Sequence, residues 1–85
     1  LWYRTEPYFA YFYSERYWDV IYLADTTLNA MQSEKSLEES YYWRGMAKAA
    51  LGDTYGAIED YRQSLEYHPD FGPSIYQLTQ LGVEP

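Results

Sequence analysis

Eighty-five residues allow one small domain, and a chain this short buries only about 60–65% of its unfolded surface. With no Cys and a single His, disulfide frameworks, thiolate zinc sites, cysteine nucleophiles and imidazole clusters are excluded. Six Lys and Arg against thirteen Asp and Glu give a formal charge of −7, which opposes both a nucleic acid and an anionic membrane surface. No apolar run approaches the roughly 20 residues that span a bilayer, and no signal-peptide core is present, so a water-soluble chain is expected. Cys-free composition suits any redox environment and leaves the compartment open. Aromatic residues make up 21% of the chain, 12 of them Tyr, so the core is expected to be amphipathic, each hydroxyl needing water or a partner. The absence of Met at Leu1 and the stop at Pro85 read as a segment of a longer protein.

In chain order, Thr5-Glu6-Pro7 opens a helix running from about Glu6 to Tyr13, since Pro is tolerated in a first turn. Residues 1–22 hold ten aromatics, so a strand competes by propensity, but no second strand is legible to pair with it. Trp18, Val20, Ile21, Ala24, Leu28 and Met31 recur at helical spacing and predict a helix over 16–31, with Ser14 as its cap. Ser36-Leu37-Glu38-Glu39 has capping-box spacing and starts a third helix at Leu37. Gly52 suits the position that ends this helix, and Asp53 the N-cap of the next. Ala57, Ile58, Tyr61 and Leu65 form the apolar stripe of that fourth helix, with Glu59, Asp60, Arg62, Gln63 and Glu66 on the other side, until His68-Pro69. A last helix is expected from Pro73 to Leu81, stopped by Gly82. The fold class is therefore all-α, with about five helices in one domain spanning 1–85.

A shift of 37 residues matches Trp18 with Tyr55, Val20 with Ala57, Ile21 with Ile58, Thr27 with Ser64 and Leu28 with Leu65, an internal repeat whose extra length falls at Gln32 to Lys35. The second copy, with Tyr41, Gly45, Ala57, Tyr61 and Pro69 at the right intervals and Gly52-Asp53 between the helices, resembles the tetratricopeptide repeat family. The resemblance gives one well-matched repeat over 38–71, one degenerate repeat over about 5–37 with Tyr8 where Gly belongs, and a terminal half-repeat over 72–82. It implies antiparallel helix-turn-helix units, with Gly45 and Ala57 small enough for two helices to approach and Tyr41 and Tyr61 filling the space on either side. Arg44 and Lys48 depart from the family pattern, standing one turn apart on a face it keeps apolar; carboxylate partners such as Glu59 or Asp60 are expected for them.

No constellation carries catalysis. Glu38-Glu39 and Glu59-Asp60 are adjacent on helices and point about 100° apart, too far to share one scissile bond. His68 sits in a helix-ending loop, and the serines lack a nucleophile context, so cap, surface and packing roles account for them. No metal, cofactor or nucleotide motif is present. What the resemblance implies instead is a concave groove for a peptide or partner domain, lined by Glu39, Tyr42, Met46 and Ala49 in the matched repeat, Phe9, Phe12 and Tyr13 in the degenerate one and Tyr76 in the half-repeat. Ligand contact and plain packing are both open for these residues. Two of the positions used elsewhere in the family to clamp a peptide carboxylate hold Tyr42 and Met46, so neutral to basic partners are expected rather than acidic ones. A scaffolding module is the first expectation. The alternatives are an architectural domain that packs on a further domain of the same protein, self-association through the aromatic segment Trp2 to Phe12, and carbohydrate binding on aromatic platforms.

Overall fold

The computed structural model describes residues 6–30 and 37–85. It has five helices: α1 (Glu6–Tyr13), α2 (Tyr17–Asn29), α3 (Leu37–Ala50), α4 (Thr54–Tyr67) and α5 (Gly72–Gln80), with no strand among the described residues. None is long and apolar enough to cross a membrane. The expected roles of Trp2, Tyr3, Thr5, Met31, the Gln32 to Lys35 insertion and the Ser36 cap lie outside the described residues.

Three helix ends share one device. After α3, the Gly52 amide donates to the Ala49 carbonyl and the Asp53 amide to the Lys48 carbonyl, with Gly52 at φ 95°. After α5 the same pair of bonds runs from Gly82 to Thr79 and from Val83 to Leu78. After α1 it runs from Glu15 to Phe12 and from Arg16 to Tyr11, but here the left-handed residue is Glu15, at φ 62°. Ser14 is consequently not the cap of α2: its amide closes the last turn of α1 on Ala10 and Tyr11, and the N-cap is Arg16, whose side chain makes no capping bond to the helix backbone. Asp53 does cap α4, accepting from the Gly56 amide at 2.9 Å.

Residue pairs give the directions of the helices. Glu38 meets His68, Tyr41 stacks on Tyr67 and Gly45 faces Tyr61, so α3 and α4 run antiparallel. Ser64 bonds Ser74 while Tyr61 clusters with Leu78, so α5 turns back along α4. Tyr8 meets Ser40 and Phe12 meets Trp43, so α1 runs parallel to α3. Close approach of α3 and α4 depends on Gly45: a Cβ there would stand 2.8 Å from Tyr61 Cε1 and 3.2 Å from the Ala57 carbonyl oxygen.

Tyr8, Val20, Ala24, Trp43 and Ala47 form one buried cluster, and Ala57, Tyr61 and Leu78 a second. Tyr42 and Met46 pack against both and join them. Two expectations on these faces are corrected. Trp18, grouped in the sequence with the residues of α2 that recur at helical spacing, is 70% exposed, and Tyr55, which the shift of 37 matches with it, is 85% exposed, so what the two positions share is an outward ring. Asp60 was placed on the water side of α4 but is only 3% exposed. It accepts two hydrogen bonds from Arg44, at 2.9 and 2.8 Å, and lies 3.2 Å from Lys48. Arg44 also reaches Asp25 of α2 at 2.7 Å, so two cations and two carboxylates bind α2, α3 and α4 together. The carboxylates expected for Arg44 and Lys48 are thus supplied by Asp60 and Asp25, and Glu59 stays in solvent. The hydrogen bonds to Asp60 and Asp25 hold the Arg44 guanidinium above its already high range, against the opposing effect of burial.

Candidate functional site

Along α3, Glu39, Tyr42, Met46 and Ala49 recur at intervals of three and four, which puts them on one face of the helix. Arg44 and Lys48 stand on the opposite face, turned to Asp25 and Asp60. α1 flanks the first face. Its Tyr8 turns inward and donates to or accepts from Ser40 at 2.7 Å, a bond buried on both sides. That seat turns Phe9, Phe12 and Tyr13 toward α3, where Trp43 receives all three, with ring centroids 6.2, 5.6 and 6.4 Å away. Tyr42 meets the same indole edge-on at 5.1 Å and continues to Tyr61 and Phe71. Trp43, absent from the sequence reading of the site, is the buried hub that holds the expected residues in place. Its signal was only its aromatic type beside Tyr42, and aromatic type is common to a fifth of the chain.

The rings differ in what they leave open. Phe12 is half-buried between Tyr17 and Trp43 and serves mainly as packing. Phe9 and Tyr13 touch each other at 4.7 Å yet remain 57% and 63% exposed, so they present faces to water while their edges are fixed. Met46 is half-buried between the two core clusters, and Ala49 is exposed at the far end of the α3 face.

α5 flanks the other side. Phe71, Ser74 and Leu78 are buried, which fixes the phase of the helix and leaves Tyr76, about 200° round from Leu78, exposed as Phe9 and Tyr13 are. Gln77, which the sequence reading did not include, lies toward the Tyr42 hydroxyl.

The polar groups of the floor are few. Glu39 is half-buried near the Trp43 indole; burial and the neighbouring Glu38 push its carboxyl above the usual range, while the indole N–H and His68 pull the other way. His68 caps the end of α4 and stands 3.7 Å from Glu38. Burial raises the Tyr42 hydroxyl as well, helped by Tyr13 and Glu39 and opposed by Gln77, and burial raises Tyr61 further still, so both stay neutral in ordinary buffers. The arrangement is a largely apolar face of α3 flanked by α1 and α5, with the Glu39 carboxylate and the Tyr42 hydroxyl as its half-buried polar groups. Compared with protein-family models, curated proteins and solved structures, the chain has no significant match in any of the three, and the chemistry of the groove rests on its own residues.

Proposed function

We propose that the chain is a non-catalytic protein-interaction module of the tetratricopeptide type, which seats a peptide or partner domain in the trough between α1 and α5 along α3. One observation carries this reading: Phe9 and Tyr13 are large rings held in fixed positions by Trp43 and each other while most of their surface stays wet. Pre-ordered aromatic area of this kind loses little entropy on binding and is where interface energy concentrates. The parallel register of α1 and α3 and the Gly45 approach to Tyr61 support the repeat assignment. The charge of −7 favours neutral to basic partners and speeds their encounter. The test is a double substitution, Tyr42→Ala with Met46→Ala, in a chain shown by circular dichroism to remain helical. Loss of binding by about tenfold or more supports the trough, since truncating central interface residues costs over ~1 kcal/mol each; unchanged affinity sinks it.

A second reading is favoured by α2, where Trp18 and Tyr22 stand one turn apart and are both largely exposed. In it, this face packs on a further domain or on a second copy, and the contact moves from the expected Trp2 to Phe12 segment to the outer side of α2. Light scattering decides: a monomer that binds no apolar dye argues against it.

A further inference from the structure

Where the cations of the chain are spent sets the charge of the trough. Arg44 and Lys48 are committed to Asp25 and Asp60 behind α3, Arg16 to Asp19 at the α1–α2 turn, and Arg62 to the Glu84 carbonyl. Arg4 and Lys35 lie outside the described residues. Among the described residues, then, Glu39 has no ion-pair partner, and the trough it floors carries no Lys or Arg. Because Tyr8 meets Ser40, Glu39 lies level with Phe9, at the end of the trough where the exposed rings are.

The molecule twice completes such a pairing of carboxylate and tyrosine. The Arg16 guanidinium lies 4.6 Å over the Tyr11 ring and pairs with Asp19 at 2.7 Å. The Arg44 guanidinium lies 5.5 Å from the Tyr41 ring centre and pairs with Asp60. Among the described residues, the trough has the carboxylate and the rings but no guanidinium. A planar cation satisfies such a place better than an ammonium, because it stacks on a ring while its edge donates to a carboxylate, and it is more easily stripped of water.

Building on the reading of the trough as a peptide site, we propose that its occupant is a partner segment bearing an arginine, whose guanidinium stacks on Phe9 and Tyr13 and donates to Glu39 while flanking apolar side chains rest on Tyr42 and Met46. Half-burial of Glu39 means that its carboxylate gains from a cation that replaces lost water, and the excess of negative charge draws basic segments in.

The test selects peptides of about 12 residues from a random displayed library on the full 85-residue chain, with the Tyr42→Ala, Met46→Ala double variant as the counter-selection. The expected set carries an arginine flanked by apolar residues. Replacing that arginine by citrulline, which keeps the shape and loses the charge, should weaken anisotropy-measured binding about tenfold on the parent chain and less than about twofold on Glu39→Gln. Lysine should recover only part of the loss. A selected set that is apolar and arginine-free, or a citrulline penalty that Glu39→Gln leaves intact, overturns this inference while the trough stands. Enrichment on the double variant equal to that on the parent chain takes both down.

Discussion

The two helical hairpins of this chain reach the same shape by different means. In α3–α4 the instructions are local: Gly52 ends one helix in the left-handed region, Asp53 caps the next, and Gly45 lets the pair close on Tyr61. In α1–α2 the corresponding turn has Glu15 in the left-handed region and no side-chain cap. α1 is held by what it touches: Tyr8 on Ser40, and three rings on Trp43. One hairpin is specified by its own turn and interface, the other by docking onto its neighbour.

Four substitutions sharpen that contrast, each followed by urea unfolding. Asp60→Ala should have the largest effect, a loss of about 3 kcal/mol, because it strips the buried carboxylate from Arg44 and Lys48 together; a loss below ~1 kcal/mol would mean that Asp25 and solvent satisfy both cations. Gly45→Ala should cost about 1–2 kcal/mol, the clash with Tyr61 and the Ala57 carbonyl outweighing the better helix propensity of Ala, and a stabilised variant would show that the two helices have slack. Tyr8→Phe should cost about 1 kcal/mol by leaving the buried Ser40 hydroxyl without its partner, with the loss of hydrogen-exchange protection concentrated in α1; uniform loss across all five helices would contradict separate docking of the first helix. Glu15→Gly should be the smallest and of opposite sign, a gain of about 0.5 kcal/mol from relief of the left-handed conformation, less the entropy that Gly adds to the unfolded chain.

The same contrast explains what was legible in the sequence. Where a helix end uses glycine and an acidic cap, its boundary is written in neighbouring residues, and α3, α4 and the Gly82 stop are found where expected. At the first turn the left-handed residue is a glutamate, so the signal is missing and Ser14 draws attention as a cap while it is closing α1. The pairing of Arg44 with Asp60 could be anticipated because it lies inside one helical hairpin; that with Asp25 could not, since it joins α2 to α3 across nineteen positions with no spacing rule to mark it. In the candidate site, Phe9, Phe12, Tyr13, Tyr42 and Met46 come together, because α1 and α3 run parallel with these residues on facing sides. Gln77 was not legible as a neighbour of Tyr42 because the phase of α5 is set by the burial of Phe71, Ser74 and Leu78, which composition does not reveal.

In the proposed peptide-binding reading, placing both exposed rings on α1 links recognition to the integrity of the first hairpin. Phe9 and Tyr13 are available only while Tyr8 is seated on Ser40, so any occupant lying across them and the α3 floor works as a clamp between the two halves of the molecule. Affinity is then scaled by the fraction of molecules with this wall in place, and a change at Tyr8, well clear of the bound chain, weakens capture by the same factor that it lowers that fraction.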